Sequence, residues 1–113
     1  MDKIDEGVRM LLGIIYDTPI YQEYRRQEEA LKLDPQLYQR VNSFRERNFR
    51  LQNSVSDGGV FQVADSIYHE SRELRKNPQV NAYLDAELAM CKMMQRIARS
   101  MVDGIEFDIP DIG

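Results

Sequence analysis

The single histidine, His69, stands beside Glu70 and one helical turn from Glu73. These are the residue types from which a surface metal site or an acid–base pair is built. An isolated trio of this kind is more often a solvated helix face, and that is the expectation here. The single cysteine, Cys91, lies in the run Met90-Cys91-Lys92-Met93-Met94, whose soft sulfur atoms suit copper or an iron–sulfur group. One thiolate does not make such a site. At helical spacing Cys91 falls on an apolar stripe, so a buried core or interface thiol is expected. Met90, Met93 and Met94 widen the apolar surface around it, and unbranched methionine suits an adaptable protein contact. These three are therefore assigned to a partner or oligomer contact. There is no glycine-rich phosphate loop, nucleophile elbow, paired-cysteine motif or His-Glu-x-x-His motif, so no catalytic residue, metal ligand or cofactor-binding residue is assigned. The chain is read as a protein that is not an enzyme and takes no small-molecule substrate.

A second group lies between Gln39 and Arg50, where four arginines face one glutamate. Arg40, Arg47 and Arg50 fall at about −60°, −80° and −140° from the apolar seam of the helix that carries them, at 100° per residue. They form a basic strip, either a solvated face with ion pairs or a site for RNA or an acidic partner. Tyr38, Arg45 and Phe49 lie on the opposite flank. Large aromatic side chains away from a core seam, with an arginine between them, are common interface anchors, so these three are assigned to a partner or oligomer contact, the alternative being packing under a neighbouring helix.

All these residues must be positioned by helices. Ile4, Val8, Leu11 and Ile15 mark a first helix, interrupted by Thr18-Pro19. A capping side chain followed by proline starts a helix without losing a needed hydrogen bond. The same device recurs at Asp34-Pro35 and Asn77-Pro78. Helices are thus expected from Pro19 to about Leu33, from Pro35 to about Val55, and from Pro78 to about Asp103 with Gly104 as C-cap. The second helix carries Ile20, Tyr24, Gln27 and Leu31 on its stripe. The third carries Leu37, Val41, Phe44, Asn48, Leu51 and Val55, within about 40° of one line. Asn48 on that seam is expected to find a hydrogen-bond partner. Asp57-Gly58-Gly59 is the turn before a fourth helix with Val60, Val63, Ile67 and Leu74, ending near Lys76. The longest helix carries Val80, Leu84, Leu88, Cys91, Gln95, Ala98, Met101 and Ile105. The expected fold is all-α, an antiparallel bundle of four to five helices with a long C-terminal helix and coiled-coil-like packing. Residues 1–105 would form one helical domain, and 106–113 an acidic tail.

The totals agree. A chain of 113 residues with 42% hydrophobic and 30% charged residues can fold as one domain. A net charge of −4 argues against a protein whose main task is to coat nucleic acid, so RNA is not the expected partner. The lone cysteine forms no internal disulfide, and no charged leader with an apolar stretch precedes the first helical pattern, which makes the cytoplasm the expected compartment. The apolar run 10–16 is far short of the roughly 20 residues of a membrane span. More apolar stripes are present than a small bundle covers, so a homo-oligomer is expected.

Two stretches, DPQLYQRVNSFRERNFRLQN (34–53) and NPQVNAYLDAELAMCKMMQRI (77–97), resemble the YlbF/YmcA family of small bacterial regulatory proteins. IYQEYRRQEEAL (20–31) is similar to that family's second helix. The resemblance implies an all-helical, oligomer-forming, non-enzymatic protein whose relatives act with partner proteins in competence, sporulation and biofilm control, linked to messenger-RNA processing by an endoribonuclease. It also implies family paralogues or other regulatory proteins as partners. Some relatives hold iron–sulfur clusters through cysteines; with Cys91 alone this chain offers at most one ligand to a shared cluster, and the cofactor is not carried over. The alternative reading is a small RNA-binding module using the arginine strip.

Overall fold

Each cap-and-proline pair starts a helix through the predicted contact. In the computed structural model, which describes residues 2–52 and 60–105, the Tyr21 N–H donates to Thr18 Oγ1 at 3.1 Å. Likewise the Leu37 N–H donates to Asp34 Oδ1 at 3.2 Å, and the Gln79 and Val80 N–H groups donate to Asn77 Oδ1 at 2.9 and 3.3 Å. Each cap satisfies backbone donors that the first helical turn leaves without partners. The resulting helices are α1 (Asp2–Tyr16), α2 (Pro19–Lys32), α3 (Pro35–Gln52), α4 (Val60–Arg75) and α5 (Pro78–Ile105). The fold is all-α, and no strand occurs among the described residues. Gly104 is not a cap: α5 runs through it to Ile105. Val55, the Asp57-Gly58-Gly59 turn and the tail 106–113 lie outside the described residues.

The core forms where α2, α3 and α4 meet the first turns of α5. Leu31, Val41, Phe44, Ile67, Leu74, Val80, Tyr83 and Leu84 are buried together, with Tyr24, Leu37, Tyr38 and Leu51 packed against them. α2 runs antiparallel to α5, since Tyr24 meets Tyr83 and Gln27 meets Gln79. The latter contact, Gln79 Nε2 donating to Gln27 Oε1 at 2.7 Å, explains a polar residue on α2's apolar stripe.

Two of the expected stripes are not core. On α1 only Ile15 is buried, while Ile4, Val8 and Leu12 on the same side are exposed. On α5 the buried residues are Val80, Tyr83, Leu84, Ala86 and Met93, whereas Leu88, Cys91, Gln95, Ala98, Met101 and Ile105 are exposed. The reason is length. A 28-residue helix is about 42 Å long, and the 14-residue α2 reaches along only about half of it.

The chain is consequently open in shape. Its radius of gyration is 17.2 Å, where a compact domain of this length has about 13 Å. Among the described residues, the large exposed apolar side chains lie mostly on α1 and on α5 from Leu88 onward, with Leu33, Phe49 and Tyr68 elsewhere.

Candidate partner-binding groove

α3, α4 and α5 enclose an open groove of about 830 Å³. Its floor is set by Arg45, which leaves α3 on the flank opposite the basic strip and forms an ion pair with Glu87 of α5. The guanidinium carbon also sits 5.4 Å from the centre of the buried Tyr83 ring, within cation–π range. Tyr83 in turn places its hydroxyl 3.4 Å from that of Tyr24, with the two rings tilted and 5.7 Å apart. Burial alone would lower the arginine's pKa; the Glu87 carboxylate, aided by the two tyrosines, more than reverses this and holds it above its ordinary value. Burial, with the Tyr24 hydrogen bond, pushes the Tyr83 phenol well up despite the nearby arginine, so it stays neutral. Arg45 Nε is buried and meets Glu87 without a well-formed hydrogen bond. The attraction there is charge on charge, and the hydrogen bond of this side chain is Nη1 donating to Asn42 Oδ1 at 3.0 Å.

The three aromatic-flank residues come together along this groove but differ in character. Arg45 is tied down as described. Tyr38 is half-buried against the core, with Lys32 Nζ 5.6 Å from its ring centre. Phe49 stands at the lip and is 67% exposed. Asn48, expected on a packed seam, lines the groove instead, and no hydrogen bond holds its side chain among the described residues. From α5 come Leu88 and Cys91. Cys91 is exposed, so it is not a core thiol: it lies on the part of the stripe that runs past the bundle. The neighbouring methionines separate, with Met93 buried, Met90 half-buried and Met94 exposed. Of these, Met93 belongs to the interior of its own chain and offers no surface to a partner.

The basic strip is largely neutralised within the chain. Arg47 pairs with Glu70 of α4 at 2.6 Å and Arg50 with Glu46 at 2.5 Å. Arg40 adds a weak pull on Glu73, whose carboxyl is held below its ordinary value first by Lys76. The histidine trio disperses in the same way: Glu70 is taken by Arg47, Glu73 by Lys76, and His69 lies 3.5 Å from Asp65 on an exposed face. Among the described residues no group of three histidine, cysteine or acidic side chains is placed to hold a metal ion, and no helix is long and apolar enough to cross a membrane. Sequence reasoning missed Glu87 and Tyr83, and placed Tyr24 only on the apolar stripe of α2. Arg45 and Glu87 are on different helices, so no local spacing announces their pairing, and Tyr83 lies off the stripe chosen for α5.

Residues 4–106 match the family model described as control of competence regulator ComK, YlbF/YmcA. The chain belongs to the YlbF/YmcA family. It is also similar to a UPF0342 protein of Caldicellulosiruptor bescii, 25% identical over 89 residues, which cover 77% of this chain and 75% of the relative. No solved structure matches. The match spans every helix, so the α3–α5 groove and the exposed distal half of α5 both fall inside the YlbF/YmcA region. The family is a regulatory one, described by control of a competence regulator.

Proposed function

We propose that this YlbF/YmcA-family protein is a non-catalytic regulator that works by binding other proteins, and that it does so as a homo-oligomer in the cytoplasm. The observation that carries the reading is the uncovered apolar surface: Ile4, Val8, Met10 and Ile14 on α1, Phe49 at the groove, and Met101 and Ile105 on α5 are all about half exposed or more. Apolar surface of this extent marks a protein contact. The family's description as a control of a competence regulator supports the regulatory part. Family paralogues and other regulatory proteins are the partners this reading favours beyond a second copy. An RNA-binding role has less support, because Arg47 and Arg50 already have carboxylate partners, and a strip of three charges gives only weak, salt-sensitive phosphate binding.

Affinity capture from the native host, with identification of co-purifying protein and RNA, tests the reading. Proteins retained at high salt are expected. A monomeric mass by light scattering at micromolar concentration overturns the homo-oligomer. Submicromolar RNA binding at physiological salt, lost when Arg40, Arg47 and Arg50 are all replaced by glutamate, puts the nucleic-acid role first.

A further inference from the structure

We infer that the acidic tail, residues 106–113, folds back along the distal turns of α5 and covers the mouth of the α3–α5 groove of its own chain. A partner entering the groove then competes with a segment of the same molecule. This goes beyond the partner-binding reading and needs no second copy.

The charges inside the groove are already paired. Arg45 meets Glu87, Glu46 meets Arg50, and Arg75 meets Asp85 at 2.8 Å. Those at its rim are not. Counted at 100° per residue from the buried Leu84, the groove-lining Leu88, Cys91 and Gln95 lie within about 40° of one line along α5. Arg99 and Lys92 stand at about 60° and 80° on one side of that line, and both are exposed. Neither has an ion-pair partner among the described residues, although Asp103 is one turn from Arg99. The mouth therefore combines exposed apolar side chains, Phe49 and Leu88, with two positive charges that nothing neutralises.

The tail carries the matching chemistry. Apolar and acidic residues alternate from Ile105 to Ile109, and Glu106, Asp108 and Asp111 bring carboxylates with no lysine or arginine among residues 106–113. Up to Pro110, such alternation gives an extended segment one apolar and one acidic edge. The tail also has the reach. α5 ends at Ile105, about 9 Å beyond Arg99 and about 20 Å beyond Lys92 along the helix. An extended chain covers about 10 Å from Ile105 to Asp108 and about 20 Å to Asp111. Turned back along α5, it sets Asp108 beside Arg99, Asp111 beside Lys92 and Ile112 near Cys91. The long cationic side chains take up the length lost in the turn. Gly104, a poor helix former, stands in the last turn of α5, where the reversal begins. The arginines of α3 do not compete for these carboxylates, because Arg47 and Arg50 already hold Glu70 and Glu46. Ion pairs at an exposed rim are individually weak, and the covalent tether supplies the high local concentration that lets a few of them suffice.

Disulfide trapping on the full-length chain tests the placement. Ile112→Cys adds one thiol to the native Cys91, and oxidation by diamide at about pH 9 keeps both mostly ionised. A disulfide-linked product of monomer mass should form. Adding Lys92→Glu and Arg99→Glu should slow its formation at least about fivefold at low salt. Adding Asp108→Lys and Asp111→Lys to that variant should restore the rate, because rim and tail then carry opposite charges again. Phe107→Cys in place of Ile112→Cys should give no monomer-mass product, since two extended residues cover only about 7 Å of the roughly 21 Å back to Cys91. Four results overturn the inference. A product of dimer mass alone puts the tail on a second copy. A rate indifferent to the rim charges marks chance collision of the tail with the thiol. A monomer-mass product from Phe107→Cys means that the end of α5 unwinds, and no product at all means that the tail lies elsewhere.

Discussion

Replacing Glu87 with alanine should cost more than an exposed ion pair and less than a dry one. The side chains of Arg45 and Glu87 are 33% and 25% exposed. Fully exposed pairs contribute about 0–1 kcal/mol, and breaking a fully buried pair costs about 3–5 kcal/mol because a charge is left stranded. An intermediate site suggests about 2 kcal/mol, which for a domain of this size lowers the melting temperature by roughly 10 °C. Most of that cost is the guanidinium left without its carboxylate above the Tyr83 ring. Arg45→Met should be milder, and the double variant Arg45→Met with Glu87→Ala should recover at least half of the loss. Thermal and urea unfolding of all four proteins, at one matched concentration because self-association raises apparent stability, gives the coupling directly. A loss below about 0.5 kcal/mol for Glu87→Ala, within the range of ordinary surface substitutions, refutes the account of the groove floor. Strict additivity in the double variant does so too.

Other outcomes follow from single features. Asn77→Ala removes the acceptor of two N–H groups at the start of α5 and should cost about 1 kcal/mol in urea unfolding. Tyr83 is buried with its pKa raised from 10.0, so its contribution is fully present below pH 10. There the unfolded chain begins to lose its proton, and stability should fall by about 1.4 kcal/mol per pH unit above that point; Tyr83→Phe should flatten that part of the pH–stability curve. Leu31→Ala, at a side chain only 1% exposed, should lose about 2–5 kcal/mol in the same unfolding assay. Cys91→Ala should leave melting within about 0.5 kcal/mol of wild type, since the thiol is exposed, and the unmodified protein should purify without stoichiometric iron; a visible absorption lost in that variant would contradict the second expectation.

The helix starts were legible because their chemistry is local. Thr18, Asp34 and Asn77 each precede a proline and each accepts a first-turn N–H, so three residues of sequence contain the whole device. The α3 seam was legible for the same reason: Val41 and Phe44 are buried as their spacing predicts. What periodicity does not reveal is where a helix outruns its neighbours. Leu84 and Leu88 have the same spacing signal, yet one is 5% and the other 49% exposed. That difference depends on how far α2 and α4 extend, which no property of α5 records. The candidate site was half legible. Tyr38, Arg45 and Phe49 line one groove as a shared flank, but the partner of Arg45 comes from another helix, and the basic strip's neutralisation by Glu70 does as well.

The uneven burial along α5 divides one continuous helix between two kinds of constraint. Val80, Tyr83, Leu84, Ala86 and Met93 answer to the interior, and a substitution at any of them is felt by the whole molecule. Beyond Met93 most side chains face outward, with Ile97 and Val102 half-buried. Backbone amides should show the same division, with slow hydrogen exchange near Val80 and Tyr83, set by global unfolding, and much faster exchange near Met101 until a partner is added. Mutation can therefore rewrite the distal turns without disturbing the core. The outward-facing positions of these turns can change while the body of the molecule stays the same.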